Sequence, residues 1–89
     1  MKVTRQNVAH KLIDYLYHRI TLSELVNWAE LSMMEADFEE KDCEILRDII
    51  SRLGLADVKA FGITWEDYVN ILQLLGYRVD LKVTEIQAV

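Results

Sequence analysis

Apolar residues recur every three or four positions through most of this chain, and then every second position near its end. The first period is that of a helix with one buried face, the second that of a half-buried strand. The first helix is predicted over about Thr4 to Arg19, with Val8, Ala9, Leu12, Ile13 and Leu16 on one stripe. The second opens at Thr21 in TLSE, where Thr21 and Glu24 have capping-box spacing; its stripe is Leu22, Leu25, Val26, Ala29, Met33 and Ala36. Asp37 and Glu40 repeat a start signal in DFEE, and the third helix turns Ile45, Leu46, Ile49, Ile50 and Leu53 inward. Gly54 reads as its left-handed stop. LADVKAFG is a short connection, with space for one helical turn. Thr64 then caps a fourth helix, with Asp67 three residues on and Trp65, Tyr68, Ile71, Leu72 and Leu75 inside. Gly76 ends it, and Tyr77 folds back on Leu72.

In GYRVDLKVT, Tyr77, Val79, Leu81 and Val83 alternate with Arg78, Asp80, Lys82 and Thr84. A strand needs a neighbour for its backbone donors and acceptors. Two mates are available: MKVT at the start of the chain, or a second copy of the same segment across a two-fold axis. The second is favoured, because MKVT offers so little strand. The expected fold is mainly α: a small four-helix bundle in one domain over residues 1–89. A single C-terminal strand, about 77–84, pairs across a dimer or with the N-terminus.

The second helix has more apolar surface than one stripe needs, since Trp28, Leu31 and Met34 project away from its inner line. A helix apolar nearly all round is central in its bundle or shared with a second chain.

Charge adds a polarity along the chain. Residues 1–20 carry four basic side chains against one acid, a balance of +3, whereas residues 21–45 carry Lys41 against eight acids, −7. Such an acidic stretch repels phosphate backbones and favours basic partners. The hydrophobic content of 52% argues against disorder. No apolar run approaches the roughly 20 residues of a membrane helix, and MKVTRQNVAHKL contains no apolar signal region. Cys43 has no second cysteine to pair with. A cytoplasmic location is therefore expected.

Candidate chemistry is sparse. His10, Asp14 and His18 are spaced to line one helix face, but that face lies opposite the apolar stripe, and surface pairing accounts for it better than a metal site. EADFEEKDCE lacks the glycine and the alternating ligands of a calcium loop. Cys43 sits at the edge of an apolar stripe with no histidine near it in sequence, so it reads as structural. Gly54, Gly62 and Gly76 are scattered helix stops, not a phosphate loop. No catalytic residue, metal or cofactor is expected, and neither is an enzyme.

A helix-turn-helix across the first two helices would need a basic recognition helix, yet the second carries Glu24, Glu30 and Glu35 with no lysine or arginine. The alternative of a small nucleic-acid-binding regulator would rest on Lys2, Arg5, Lys11 and Arg19. ITLSELVNWAE and LGLADVKAFGITWEDYVNILQLLGY resemble small, acidic, uncharacterised bacterial helical proteins. In size, acidity and helix content the chain is also similar to immunity proteins and antitoxins, which bind and silence a toxic partner. The resemblance implies a protein-binding role and transfers no site residue. The expected function is a protein-interaction module, a homodimer that binds a basic protein. Glu35, Glu39, Glu40 and Glu44 would steer that partner, and Trp28, Leu31 and Met34 would hold it.

Overall fold

Threonine opens three of the four helices by the same device. The Thr4, Thr21 and Thr64 hydroxyls accept from the backbone N–H groups of Asn7, Glu24 and Asp67, whose side chains accept in return from the threonine N–H groups. Each reciprocal pair satisfies two donors that a helix start would leave orphaned. The Thr64 backbone and hydroxyl hold the Asp67 carboxyl below the usual carboxylate range.

The computed structural model describes residues 2–87. A strand β1 (Lys2–Val3) leads into α1 (Arg5–Leu16) and α2 (Leu22–Glu35), followed by β2 (Asp37–Phe38), α3 (Cys43–Leu53) and α4 (Trp65–Leu74). Single 3₁₀ turns lie at Glu40–Asp42 and Lys59–Phe61. The fold is mainly helical, as the periodicity indicated. Its core gathers Val8, Ala9 and Leu12 of α1, Leu25 and Ala29 of α2, Leu46, Ile50 and Leu53 of α3, and Tyr68, Ile71 and Leu72 of α4. Burial of these side chains, at about 25 cal/mol per Å² of apolar surface, is the main driving force for assembly.

The strands are not where the alternation placed one. β1 and β2 pair in parallel, Lys2 opposite Asp37 and Val3 opposite Phe38, and the Glu39 N–H extends the contact to the Val3 carbonyl at 3.0 Å. The expected single C-terminal strand is not formed within the chain, and the N-terminal segment mates with residues 37–38 instead of 77–84. Val3 is fully buried by this choice, Phe38 is half-buried, and the Arg47 guanidinium lies 5.8 Å from the Phe38 ring. Phe38 thus gains cover from Arg47 of α3.

The same contact moves the start of the third helix. Ala36 is extended, with ψ 145°, so Asp37 begins no helix, and α3 starts six residues later at Cys43. The acidic run there carries no apolar stripe to dock a longer helix. The first helix is shorter than expected for another reason. It ends at Leu16, and His18 takes a left-handed backbone with φ 62° that turns the chain toward α2.

On α2 the inner row is Leu25, Val26, Ala29 and Ser32. Ser32 is buried because its hydroxyl donates to the Trp28 carbonyl at 2.8 Å, so its polarity costs little. Met33, placed inward by the stripe, is exposed instead, and so are Ile45 and Trp65. Gly54 is not the left-handed stop expected: its φ is −65°, an ordinary helical value. Gly76 is, with φ 91°.

Candidate functional site

α2 and α3 run antiparallel, which brings Met33 to Ser51, whose hydroxyl lies 3.7 Å from the methionine sulfur. Glu30 meets Gly54 from the same side. Between the two helices lies an open groove of about 420 Å³ with Met33, Met34, Ile50 and Leu55 as apolar lining and Glu30 at its edge. Met34 is 82% exposed. Methionine is flexible and polarizable, and suits surfaces that adapt to a partner's shape.

The segment joining these helices carries the acids. Glu35 ends α2, which has no basic residue in its last turn to offset the negative end of its dipole. Glu39 is half-buried in the turn after β2, Glu40 is exposed in the 3₁₀ turn, and Glu44 is exposed in the first turn of α3, where it also favours the helix. Groove and acids therefore belong to one helical hairpin, the apolar surface on its flank and the negative charge at its closed end.

Trp28, Leu31 and Met34 are not brought into one patch. Trp28 turns toward α1, half-buried against the core, with the Lys11 ammonium 5.7 Å from its ring. It lines a separate cleft with Val3, Asn7 and His10. Leu31 is exposed and lines neither cleft. Met33 and Leu55 take the place that Trp28 was expected to fill. Leu55 lies in the connection, where no periodicity pointed to it.

A third groove, about 580 Å³, lies where the chain leaves α4. Leu16 and Tyr17 of the α1 end, Trp65 of α4 and the segment from Tyr77 to Lys82 form its walls. Of the proposed dimer strand, Tyr77 and Val79 pack against the core, while Leu81 and Val83 stand free in solvent, 73% and 83% exposed. Alternation in the sequence is thus matched by alternation in burial over the first three residues of the segment.

Other chemistry is not assembled. His18 leaves the helix face that His10 and Asp14 share, and Asp14 is paired with Arg19 at 3.2 Å. Among the described residues no group of three histidine, cysteine or acidic side chains is placed to hold a metal ion. Cys43 is half-buried at the head of α3. The Tyr68 hydroxyl is pushed up to about 12 by burial, with Tyr15 beside it, their ring centres 5.6 Å apart. That pair packs α1 on α4. No described helix is long and apolar enough to cross a membrane. Neither a family model, nor a curated protein, nor a solved structure matches the chain.

Proposed function

We propose that this chain is a small cytoplasmic protein-interaction module, homodimeric, whose α2–α3 hairpin binds a basic protein. The most concrete version is an inhibitor of the immunity or antitoxin kind, which would occlude a cationic partner by binding alone. The observation that supports it best is the groove holding Met33, Met34 and Leu55 beside an acidic hairpin end. Apolar contact there would supply residence time, and the acids would raise the encounter rate. The dimer reading draws on the alternating segment beyond Val79, which pairs with no strand among the described residues and exposes Leu81 and Val83.

The test is recovery of a partner on the immobilised chain at low and high salt. It is repeated with Met33→Ser/Met34→Ser and with Glu39→Lys/Glu40→Lys/Glu44→Lys. A basic protein should be captured by the wild type, released by salt and lost by both variants, with circular dichroism unchanged. Recovery indifferent to both sets of substitutions, or no specific recovery, contradicts the reading.

A further inference from the structure

We propose that residues 78–84 pair antiparallel with the same residues of a second copy, in the one register that puts Leu81 on the two-fold axis. This rests on the homodimer reading above and gives it a geometry. The occupant of the groove at Tyr17 and Trp65 is then the arm of the other protomer.

The register follows from side-chain period and charge. A shift of one residue would set Val79, Leu81 and Val83 opposite charged or polar groups, so only pairings that keep like faces together survive. With Asp80 on the axis, Asp80 meets its own copy and Arg78 meets Lys82, both repulsive. With Lys82 on the axis, Lys82 meets its copy and Val79 meets Glu85. With Val83 there, Leu81 meets Glu85 and no opposite charges face each other. With Leu81 on the axis, Asp80 of each chain faces Lys82 of the other, Val79 faces Val83, and Leu81 faces Leu81. Opposite charges and like apolar groups directly across an antiparallel pair are both stabilising.

Val79 on the axis would also pair charges, Arg78 with Asp80, but it fails on size. At about 3.4 Å per residue, the two Tyr77 residues would then lie about 14 Å apart. Each anchors a helical body, and the smallest dimension of the molecule is 22 Å. With Leu81 on the axis the same separation is about 27 Å, enough for two bodies side by side given short dimensions of 27 and 22 Å.

The consequences for the groove are specific. Val79 is anchored on the core, so Val83 of the second copy, directly across from it, enters the groove walled by Leu16, Tyr17 and Trp65. Tyr17 and Trp65, 69% and 47% exposed in the single chain, gain cover. Glu85 of the second copy comes opposite Tyr77, next to Gly76, against which the Arg5 guanidinium lies. Arg78 and Asp80, bridged at 3.2 Å within one arm, then form a polar outer face together with Lys82 of the other.

Sedimentation equilibrium on the full chain tests this with Asp80→Lys, Lys82→Asp and the double exchange. Both positions are exposed and outside the helices, so folding is untouched, which circular dichroism verifies. Each single variant faces two like-charge pairs and should dissociate about tenfold more readily. The double exchange should return to the wild-type dissociation constant, which the Val79-centred register does not allow. A dimer that ignores the single changes, or is not rescued by the double one, overturns the register and leaves the homodimer reading standing. A wild-type chain that stays monomeric at the highest attainable concentration overturns both.

Discussion

The Tyr77 backbone N–H donates to the Leu72 carbonyl at 2.9 Å, and this bond sets the direction in which the C-terminal arm leaves the bundle. The Gly76 N–H donates to Gln73 at 3.0 Å alongside it, and the two bonds complete a Schellman closure of α4. The chain reverses there, laying Tyr77 and Val79 on the core before Leu81 passes beyond it.

Gly76 and Gly54 should therefore respond oppositely to alanine. At Gly76 a side chain meets ordinary van der Waals distances, the nearest atom being an Arg5 nitrogen at 3.7 Å, but φ 91° strains any L residue. Gly76→Ala should cost about 1–2 kcal/mol. Gly54, with a helical φ of −65° and no atom nearer to an added side chain than the Ile50 carbonyl at 3.5 Å, should gain about 0.4–1 kcal/mol from alanine. Urea midpoints measured on both variants check the signs.

The position of the sheet gives a second contrast. Val3 is 1% exposed, so Val3→Ala should lose about 2 kcal/mol of folding stability. Leu81→Ala, measured at low protein concentration, should stay within about 0.5 kcal/mol of wild type. Equal losses at the two positions would place the intrachain strand at the wrong end.

How much of this was legible in the sequence differs by element. The starts of α2 and α4 could be read because Thr21–Glu24 and Thr64–Asp67 carry the whole cap within four residues. The end of α4 was likewise local. The β1–β2 pair was not, because two residues at the start of the chain and two after α2 have no periodicity of their own; only their proximity in space makes them strands. Met33 was misplaced because its apolar character fitted the inner stripe, while Ser32, polar but self-satisfied on the Trp28 carbonyl, holds that position. The groove containing Met33, Met34 and Leu55 depends on α2 and α3 meeting antiparallel, which no local pattern encodes.

Tyr68 makes an alkaline prediction. Its hydroxyl ionises near 10 when unfolded and is pushed up to about 12 by burial in the fold. Between these values the unfolded chain releases the proton first, so this contribution to stability is intact below pH 10 and lost as pH rises through 12. The loss should be of order 2 kcal/mol. Tyr68→Phe removes that slope, and the difference between the two denaturation series isolates it from the other titrating groups.

The acidic hairpin also makes a negative prediction. A duplex gel-shift titration at physiological salt should show nothing tighter than the roughly 10 μM of non-specific contacts. Submicromolar, sequence-dependent binding would instead assign the function to Lys2, Arg5, Lys11 and Arg19, making the chain a nucleic-acid regulator.

On the proposals above, this chain would work through protein surfaces, a paired C-terminal arm being the first of them. Amide hydrogen exchange by NMR across residues 78–84, at low and high protein concentration, addresses it most directly. In an antiparallel ladder alternate N–H groups point to the partner strand. Every second amide of the segment should therefore become protected as concentration rises, in one set symmetric about Leu81, while the intervening amides continue to exchange freely. Uniform exchange at the rate of an unstructured peptide, unchanged by concentration, would contradict the pairing.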